Sequence, residues 1–165
     1  DYTDKIGDGA GVFKSIDRGS SWEQINNGLK TLETNVLVVD PNNSNTLYLG
    51  TDDDGIYKST NGGEKWMQLN VSQISEPFGV GDIVVDPEDS NVVYLATVDY
   101  FRLAGERGAL GDFGVYKSTN GGATWEDFNM GLLHPGVFSL ELNTEKRILY
   151  AGTRAGGVYW ISLDS

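Results

Sequence analysis

The sequence predicts an all-β fold made of repeated four-stranded antiparallel sheets. Three observations support this prediction: one short motif occurs three times, the segments around it recur with it, and no segment has a convincing helical pattern. The motif reads Ser-x-Asp/Asn-x-Gly-x-x-Trp, and its copies are formed by Ser15, Asp17, Gly19 and Trp22, by Ser59, Asn61, Gly63 and Trp66, and by Ser118, Asn120, Gly122 and Trp125. One copy would be weak evidence in a chain with 22 glycines, but three copies in the same setting indicate a repeated structural unit.

Each copy of the motif is predicted to form the turn of a β-hairpin, because it lies between two apolar runs. An Asp or Asn side chain accepts hydrogen bonds from backbone N–H groups two residues further on, and the glycine supplies the positive φ that closes the turn. The tryptophan is expected to fold back over the hairpin and to lie in the core. Asn keeps the side-chain acceptor and tolerates left-handed backbone, so Asn61 and Asn120 should preserve the turn.

The segments between the motifs repeat in register with them. Trp66 lies 44 residues after Trp22, and Trp125 lies 59 residues after Trp66. Most of the difference is an insertion of 13 residues in one loop, at residues 99–113. The unit of roughly 44 residues is close to the ~40–50 residues of a propeller blade. Four-stranded units of this kind bury their apolar faces by stacking radially, so the sequence predicts a β-propeller.

Four short runs rich in Val, Ile, Tyr and Trp, separated by turn residues, define strands A to D of each unit. The complete unit is predicted to have A at 36–40, B at 46–51, C at 55–59 and D at 66–70. The chain begins with C (12–15) and D (22–25) of a partial blade, 1–29, continues with blades 30–71 and 72–130, and ends with A (137–142), B (148–152) and C (157–162) of an incomplete blade, 131–165. Propellers typically need ~4–8 blades, so about three blades predict part of a larger propeller, or one that closes with a second chain.

The motif and the strand pattern resemble the Asp-box, or BNR-repeat, β-propellers, which include sialidases, xyloglucanases, sortilin-type receptors and an assembly factor of photosystem II. The resemblance covers nearly the whole chain, from about Gly11 to Trp160. It implies that the motif is a structural element on the C–D turn and is not evidence of catalysis. It also implies that ligands bind on the other face, which the B–C and D–A loops form.

Composition argues against several classes of partner and cofactor. The formal net charge of −12 makes nucleic acid an improbable partner, because binding phosphate backbones relies on clusters of Lys and Arg. The chain has no cysteine and a single histidine, His134, so no disulfide, thiolate metal site or zinc site is expected, and no cofactor is predicted. No apolar run approaches the ~20 residues that span a bilayer. The composition agrees with an extracellular or secreted protein.

The long loop at residues 99–113 is the most individual feature of the predicted binding face. Together with the B–C loop of the last unit it supplies the candidate binding residues Tyr100, Phe101, Arg102, Glu106, Arg107, Asp112 and Arg154. Exposed aromatic side chains beside Arg are typical of sugar stacking or of a protein hot spot, so a glycan or a protein is the predicted ligand. The alternative is a lid that packs over the neighbouring blade, with Phe101 and Leu103 buried.

Asp52 is the candidate catalytic residue. The segment from Thr51 to Tyr57 resembles the xyloglucanase segment in which an Asp ends a B strand and catalyses, and Asp52 holds that position. Glycoside hydrolysis needs a second carboxylate, at about 5–5.5 Å for retention or about 6.5–9.5 Å for inversion. The candidates for it are Asp99, Glu106 and Asp112, and the spacing selects none of them. The alternative reading of Asp52 is a solvated turn, since Asp is frequent in turns.

Three functions remain open from the sequence. The favoured one is a non-catalytic propeller that binds protein or glycan, because no complete catalytic set is visible. The second is part of a glycoside hydrolase that uses paired carboxylates. A sialidase is the weaker form of that reading, because only Arg102, Arg107 and Arg154 lie on the predicted binding face. The third is a structural or assembly component whose edges recruit another chain.

Overall fold

The structure is a computed structural model, and it describes residues 9–72, 74, 78–98, 113–129, 131–132, 136–153 and 156–164. These residues form thirteen β-strands and no helix. The strands are β1 (Phe13–Lys14), β2 (Glu23–Gln24), β3 (Thr34–Asp40), β4 (Asn43–Thr51), β5 (Ile56–Ser59), β6 (Met67–Gln68), β7 (Gly79–Val85), β8 (Val93–Val98), β9 (Val115–Ser118), β10 (Glu126–Asp127), β11 (Val137–Asn143), β12 (Ile148–Thr153) and β13 (Gly157–Ser162).

The strands form antiparallel sheets in which neighbours along the chain are neighbours in the sheet. Strands β3 to β6 and β7 to β10 form two four-stranded sheets, β11 to β13 form a three-stranded sheet, and β1 pairs with β2. The all-β, four-stranded organisation predicted from the sequence is therefore confirmed. The outer strand β6 is shorter than the predicted 66–70, because its pairing with β5 ends at Leu69, whose N–H donates to the Ile56 carbonyl at 2.9 Å.

The sheets pack face to face in chain order, and their first strands β3, β7 and β11 lie next to one another. Three clusters of buried apolar side chains fill the spaces between successive sheets. The cluster between the two four-stranded sheets includes Tyr48, Ile56, Ile83, Leu95 and Trp125. Each four-stranded sheet therefore buries apolar side chains on both of its faces, as a propeller blade does.

The first strand of each of the three larger sheets has a β-bulge at the same position. The register shifts between Thr34 and Val36 in β3, between Val80 and Asp82 in β7, and between Val137 and Ser139 in β11, so the bulged residues are Asn35, Gly81 and Phe138. Gly81 leaves no room for a side chain, because a Cβ there would lie 2.2 Å from the Val137 carbonyl oxygen of the next sheet. A β-bulge bends its strand and changes the direction of the bulged residue's side chain. The residue type at this position differs between the sheets, although the residues around it repeat.

The three motif turns share one hydrogen-bond pattern. In the second turn, Ser59 Oγ accepts the N–H of Asn61 at 3.3 Å and of Gly63 at 3.0 Å, and Asn61 Oδ1 accepts the N–H of Lys65 at 3.0 Å. The prediction that Asp or Asn accepts an N–H two residues on is therefore wrong. The serine takes that role, because successive positive φ angles at Gly62 (71°) and Gly63 (89°) turn the chain so that the N–H four residues on faces the Asn. Asp17 and Asn120 accept the equivalent bond from Ser21 and Thr124, both at 2.9 Å.

Two of the three motif tryptophans lie in the core. Trp66 is 2% exposed and Trp125 is 5% exposed, each between its own sheet and the preceding one. Trp22 is 63% exposed, so the prediction that it lies in the core is wrong. The reason is that no sheet of the described residues covers this side of the β1–β2 hairpin.

Polar side chains link the A–B turns of successive sheets. Asp40 accepts the Ser90 hydroxyl at 2.7 Å, and Asp86 accepts two bonds from Arg147, at 3.1 and 2.6 Å. Both carboxylates are buried, and hydrogen bonds from the Arg147 guanidinium hold the pKa of Asp86 below its usual value. These links join neighbouring sheets on the face that also carries the motif turns.

Candidate functional site

The B–C connections of three sheets are closed by the same pair of residues, a threonine and a glycine. Thr51 Oγ1 donates to the Gly55 carbonyl at 2.8 Å and accepts the N–H of Asp54 at 3.0 Å. The equivalent pairs are Thr97 with Gly114 and Thr153 with Gly157, at 3.3 and 3.0 Å between the hydroxyl and the carbonyl. The same threonine–glycine hydrogen bond therefore closes the B–C connection with or without the long insertion. The sheets differ in the number and type of residues between the threonine and the glycine.

Asp52 is the first residue of its turn, directly after β4. Its N–H donates to the Glu33 carbonyl at 3.0 Å, and its side chain is half-buried near the bulge of β3. Burial and the negative charge of Asp53 raise the pKa of Asp52, and a hydrogen bond with the Asn35 side chain opposes that shift. Desolvation and a like charge both disfavour the ionised carboxylate. Asp52 therefore holds a proton to higher pH than an exposed Asp does.

Asn35 connects this turn to the next sheet. Its side-chain Nδ2 donates to the Val80 carbonyl of β7 at 2.9 Å. The repeat alone gives no reason to select Asn35, because the bulge that re-aims it is a property of strand pairing. The sequence does carry one indication of this position, because the residue there is not repeated from sheet to sheet. The equivalent residues are Asn35, Gly81 and Phe138, whose side chains differ in size and polarity.

Two other carboxylates near this face serve the fold. Asp54 accepts the Tyr57 hydroxyl, and Gln68 Nε2 donates to Asp54 Oδ1 at 3.2 Å. Asp82 Oδ2 accepts the N–H of Leu140 in the next sheet at 2.8 Å. Both side chains therefore hold neighbouring segments together.

Asp53 differs from its neighbours in the same turn. Its Oδ1 is buried and has no hydrogen-bond partner among the described residues. Buried polar atoms without a partner are rare in folded proteins, because desolvation is then uncompensated. Asp52 and Asp53 together form an acidic pair in which one oxygen lacks a donor. A group that brings N–H or O–H donors fits this pair.

Of the predicted catalytic and binding residues, only Asp52 lies within the described residues. The other candidates, Tyr100, Phe101, Arg102, Glu106, Arg107, Asp112 and Arg154, lie outside the described residues, as do Asp99 and His134. Their contribution to the site stays a prediction. Within the described ranges, no group of three or more His, Cys, Asp or Glu side chains is arranged to hold a metal ion. The same residues include no helix of the length and hydropathy that membrane crossing requires.

The four-stranded sheets, their radial stacking and the three motif turns define a β-propeller of the BNR-repeat class. The Sortilin-Vps10 family model, described as "Sortilin, neurotensin receptor 3", matches residues 10–157. The chain belongs to this family.

Solved structures of two enzymes share the fold. An ancestral GH74 enzyme superposes with a TM-score of 0.72 at 28% identity, over 92% of this chain and 20% of that one. The GH74 enzyme of Niastella koreensis superposes with a TM-score of 0.65 at 24% identity, over 92% of this chain and 24% of that one. The chain therefore spans a quarter or less of these structures. No curated protein sequence matches it.

Proposed function

We propose that the chain is a ligand-binding module of a β-propeller protein, with a protein or glycan ligand held on the face of the B–C and D–A loops. The observation that carries this proposal is the acidic pair Asp52 and Asp53 in the turn after β4, where both side chains are half-buried and the charge of Asp53 helps to raise the pKa of Asp52. A ligand with N–H or O–H donors that binds the accessible part of this pair relieves the repulsion between the two carboxylates. Polypeptides and sugars both supply such donors.

The use of the other carboxylates supports binding over hydrolysis. Glycoside hydrolysis needs two carboxyl groups on opposite sides of the scissile bond, at least about 5 Å apart. Asp54 and Asp82 are engaged with Tyr57 and Leu140, and Asp53 follows Asp52 in one tight turn. The described residues thus offer an adjacent acidic pair for holding a ligand.

Membership of the Sortilin-Vps10 family also supports a binding role, because the family description is that of a receptor. A location outside the cell is part of the same proposal, and it agrees with the composition. The residues of the insertion complete the binding face in this proposal, with Tyr100, Phe101 and Arg102 as the stacking and hydrogen-bonding groups.

A glycoside hydrolase is the second candidate. It is favoured by the 28% identity with an ancestral GH74 enzyme and by the raised pKa of Asp52. A carboxylic acid that keeps its proton to higher pH suits general acid catalysis. In this case the second carboxylate is Asp99, Glu106 or Asp112 in the insertion, or it belongs to another part of a larger propeller.

Titration and a hydrolysis assay on the same variants test this proposal. Isothermal calorimetry measures the affinity of two probes, neurotensin and a xyloglucan oligosaccharide, for the wild type and for Asp52→Asn. Glu145→Gln is the control, because Glu145 is an exposed carboxylate in the A–B turn on the opposite face. Release of reducing sugar from xyloglucan measures hydrolysis.

We expect one probe to bind without release of sugar. Asp52→Asn should weaken that binding at least about tenfold, the effect of losing one charge-assisted hydrogen bond, and Glu145→Gln should not. Hydrolysis by the wild type that Asp52→Asn abolishes would establish the second candidate. Binding of a probe that Asp52→Asn leaves unchanged would contradict the assignment of this site.

A further inference from the structure

Three Asn-Gly dipeptides occur in the chain, at residues 27–28, 61–62 and 120–121. An asparagine followed by glycine can lose its side-chain amide without a catalyst, because the glycine nitrogen attacks the side-chain carbonyl carbon and no side chain of the glycine shields it. The first dipeptide lies in the connection between β2 and β3, and the other two lie in motif turns. All three asparagines are exposed, so access to water does not distinguish them.

The second motif turn holds both reacting groups in place. The Gly62 N–H donates to the Asn45 carbonyl at 2.9 Å, and Asn61 Oδ1 accepts the N–H of Lys65 at 3.0 Å. An amide nitrogen whose proton is held by a carbonyl is directed away from the neighbouring side chain. Attack at this position must therefore break two hydrogen bonds before the carbon and the nitrogen meet.

The third motif turn holds its asparagine in the same way. The Gly121 N–H donates to the Asn91 carbonyl at 2.8 Å. Asn120 Oδ1 accepts the N–H of Thr124 at 2.9 Å, and Asn120 Nδ2 donates to the Thr124 hydroxyl at 2.7 Å. The hydrogen bonds that build the motif turn therefore also protect its asparagine.

The connection between β2 and β3 leaves both groups free. It is a β-turn closed by the Leu29 N–H, which donates to the Asn26 carbonyl at 3.0 Å. Gly28 has a φ of 98°, as a type II turn requires at this position. Within the described residues, the Gly28 N–H has no acceptor and Asn27 Oδ1 accepts no hydrogen bond. The one side-chain hydrogen bond of Asn27 in that part of the chain is long, from Nδ2 to the Glu64 carbonyl at 3.3 Å.

We propose that Asn27 is a site of spontaneous deamidation, whereas the fold protects Asn61 and Asn120. The Gly28 nitrogen bonds to Asn27 Cγ, the Cγ–Nδ2 bond breaks, and the amide leaves as ammonia with the proton of the Gly28 N–H. Water then opens the resulting five-membered imide at either carbonyl and leaves aspartate or isoaspartate at position 27. The reaction needs only water, so it is independent of the ligand proposed above.

The same connection contacts the second motif. The Asn27 carbonyl accepts the N–H of Trp66 at 2.8 Å, and a Cβ at Gly28 would lie 2.2 Å from the Trp66 carbonyl oxygen. Trp66 is buried in the core. Isoaspartate lengthens the main chain by one carbon at this contact, and either product replaces the Nδ2 donor to Glu64 with a negative charge. Deamidation therefore weakens the contact between the first hairpin and the second sheet.

Peptide mapping of the full 165-residue protein measures the three sites separately. Trypsin cuts after Arg18, Lys30, Lys58, Lys65 and Lys117, so each Asn-Gly dipeptide lies on its own peptide. The protein is kept at pH 8, and mass spectrometry follows the exchange of the amide NH₂ for OH at each site. The same chain unfolded in guanidinium chloride is the matched control, because it loses the hydrogen bonds and keeps the sequence.

In the native protein we expect Asn27 to react at least about tenfold faster than Asn61 and Asn120, because two hydrogen bonds must break before attack at each motif site. In guanidinium chloride the three rates should converge. A native rate at either motif site that matches that of Asn27, or an unreactive Asn27, would overturn the proposal. The same preference for Asn27 in the unfolded chain would also overturn it, because the sequence and not the fold would then select the site.

A second measurement tests the consequence for the second motif, with Asn27→Gln as the matched variant. Gln keeps an amide donor, but its longer side chain forms the cyclic imide far more slowly. The urea denaturation midpoint of the aged wild type should fall as its deamidated fraction rises, and that of aged Asn27→Gln should match its fresh sample. A midpoint that does not change when Asn27 is deamidated would contradict the weakened contact with Trp66.

Discussion

The two faces of the blades use repetition in opposite ways. On the face of the motif turns, the same hydrogen bonds recur in all three copies, and Asn61 and Asn120 make the bond that Asp17 makes. On the face of the B–C loops, the closing threonine and glycine recur, but three residues separate Thr51 from Gly55 and sixteen separate Thr97 from Gly114. Repeated residues therefore build the frame, and the residues proposed to bind the ligand lie where the repeat fails.

The turn face also shows that the same residue of the motif can contribute differently to the free energy of unfolding in different copies. Trp22 and Trp66 hold the same place in the same motif, yet one is 63% exposed and the other 2%. The contribution of each to stability depends on the sheet that covers it. Substitutions on the two faces, and in covered and uncovered motif turns, should therefore change the free energy of unfolding by different amounts.

The largest expected effect separates the covered from the uncovered motif. Trp66→Ala should lower the free energy of unfolding by about 3–5 kcal/mol, because it removes a large buried side chain and leaves a cavity. Trp22→Ala, the matched control, should change it by no more than about 0.5 kcal/mol, as exposed substitutions do. Urea denaturation measures both. Equal losses of unfolding free energy in the two variants would contradict the view that the covering sheet determines how much each tryptophan stabilises the fold.

The next effect tests the link between sheets on the turn face. Arg147→Met should lower the free energy of unfolding at pH 7 by about 2 kcal/mol, because it leaves the buried Asp86 carboxylate without its partner. The pKa of Asp86 is lowered in the folded protein, so its contribution is fully present above the ordinary pKa of Asp and is lost as pH falls below it. The difference between wild type and variant should therefore shrink from pH 7 to pH 3. A difference independent of pH would exclude the ion pair as its cause.

A smaller effect of opposite sign is expected on the loop face. The pKa of Asp52 is raised, so its ionised form costs folding free energy at neutral pH. Asp52→Asn should therefore leave the protein as stable or more stable at pH 7, by up to about 1 kcal/mol, while it weakens binding. The gain should disappear in acid, where the native carboxyl is protonated. Thermal unfolding at pH 7 and pH 4 measures this gain in stability, with Glu145→Gln as control. A marked loss of stability in Asp52→Asn would show that Asp52 has a structural role in the fold.

The smallest effect concerns the first motif turn. Arg18 has a φ of 60°, where the other two turns have Gly62 and Gly121 at 71° and 66°. Side chains are disfavoured in left-handed backbone, so Arg18→Gly should raise the free energy of unfolding by about 0.5 kcal/mol once the added freedom of the unfolded chain is subtracted. The reverse change, Gly62→Arg, should cost about 1–2 kcal/mol. The urea denaturation midpoints of Arg18→Gly and Gly62→Arg are compared with that of the wild type. A lower midpoint for Arg18→Gly would contradict the backbone strain inferred at this position.

The fold was accessible from the sequence because its signals are local. The Asn-Gly-Gly turns, the alternating apolar runs and the 44-residue spacing each report on neighbours along the chain. The residues of β13 were predicted without error at both ends. The short outer strands were predicted too long, because their apolar pattern continues past the point where the pairing ends.

The site depends on contacts that no single segment encodes. Asn35 is re-aimed by a bulge that exists only when β3 and β4 pair, and Asp53 Oδ1 is buried only in the folded protein. The exposure of Trp22 likewise depends on what lies beside its hairpin. Asp52 was found from a resemblance in its segment, and its raised pKa comes from the folded surroundings.

Backbone amide spectra test the separation of the two faces most directly. A ¹H–¹⁵N correlation spectrum is recorded with and without the probe that binds in calorimetry. Ligand binding on the loop face predicts shifts at Asn35, at residues 52–55 and at Phe78, with no change at the motif glycines Gly63 and Gly122. Shifts concentrated at the motif turns, with the Asp52 turn unchanged, would contradict the account.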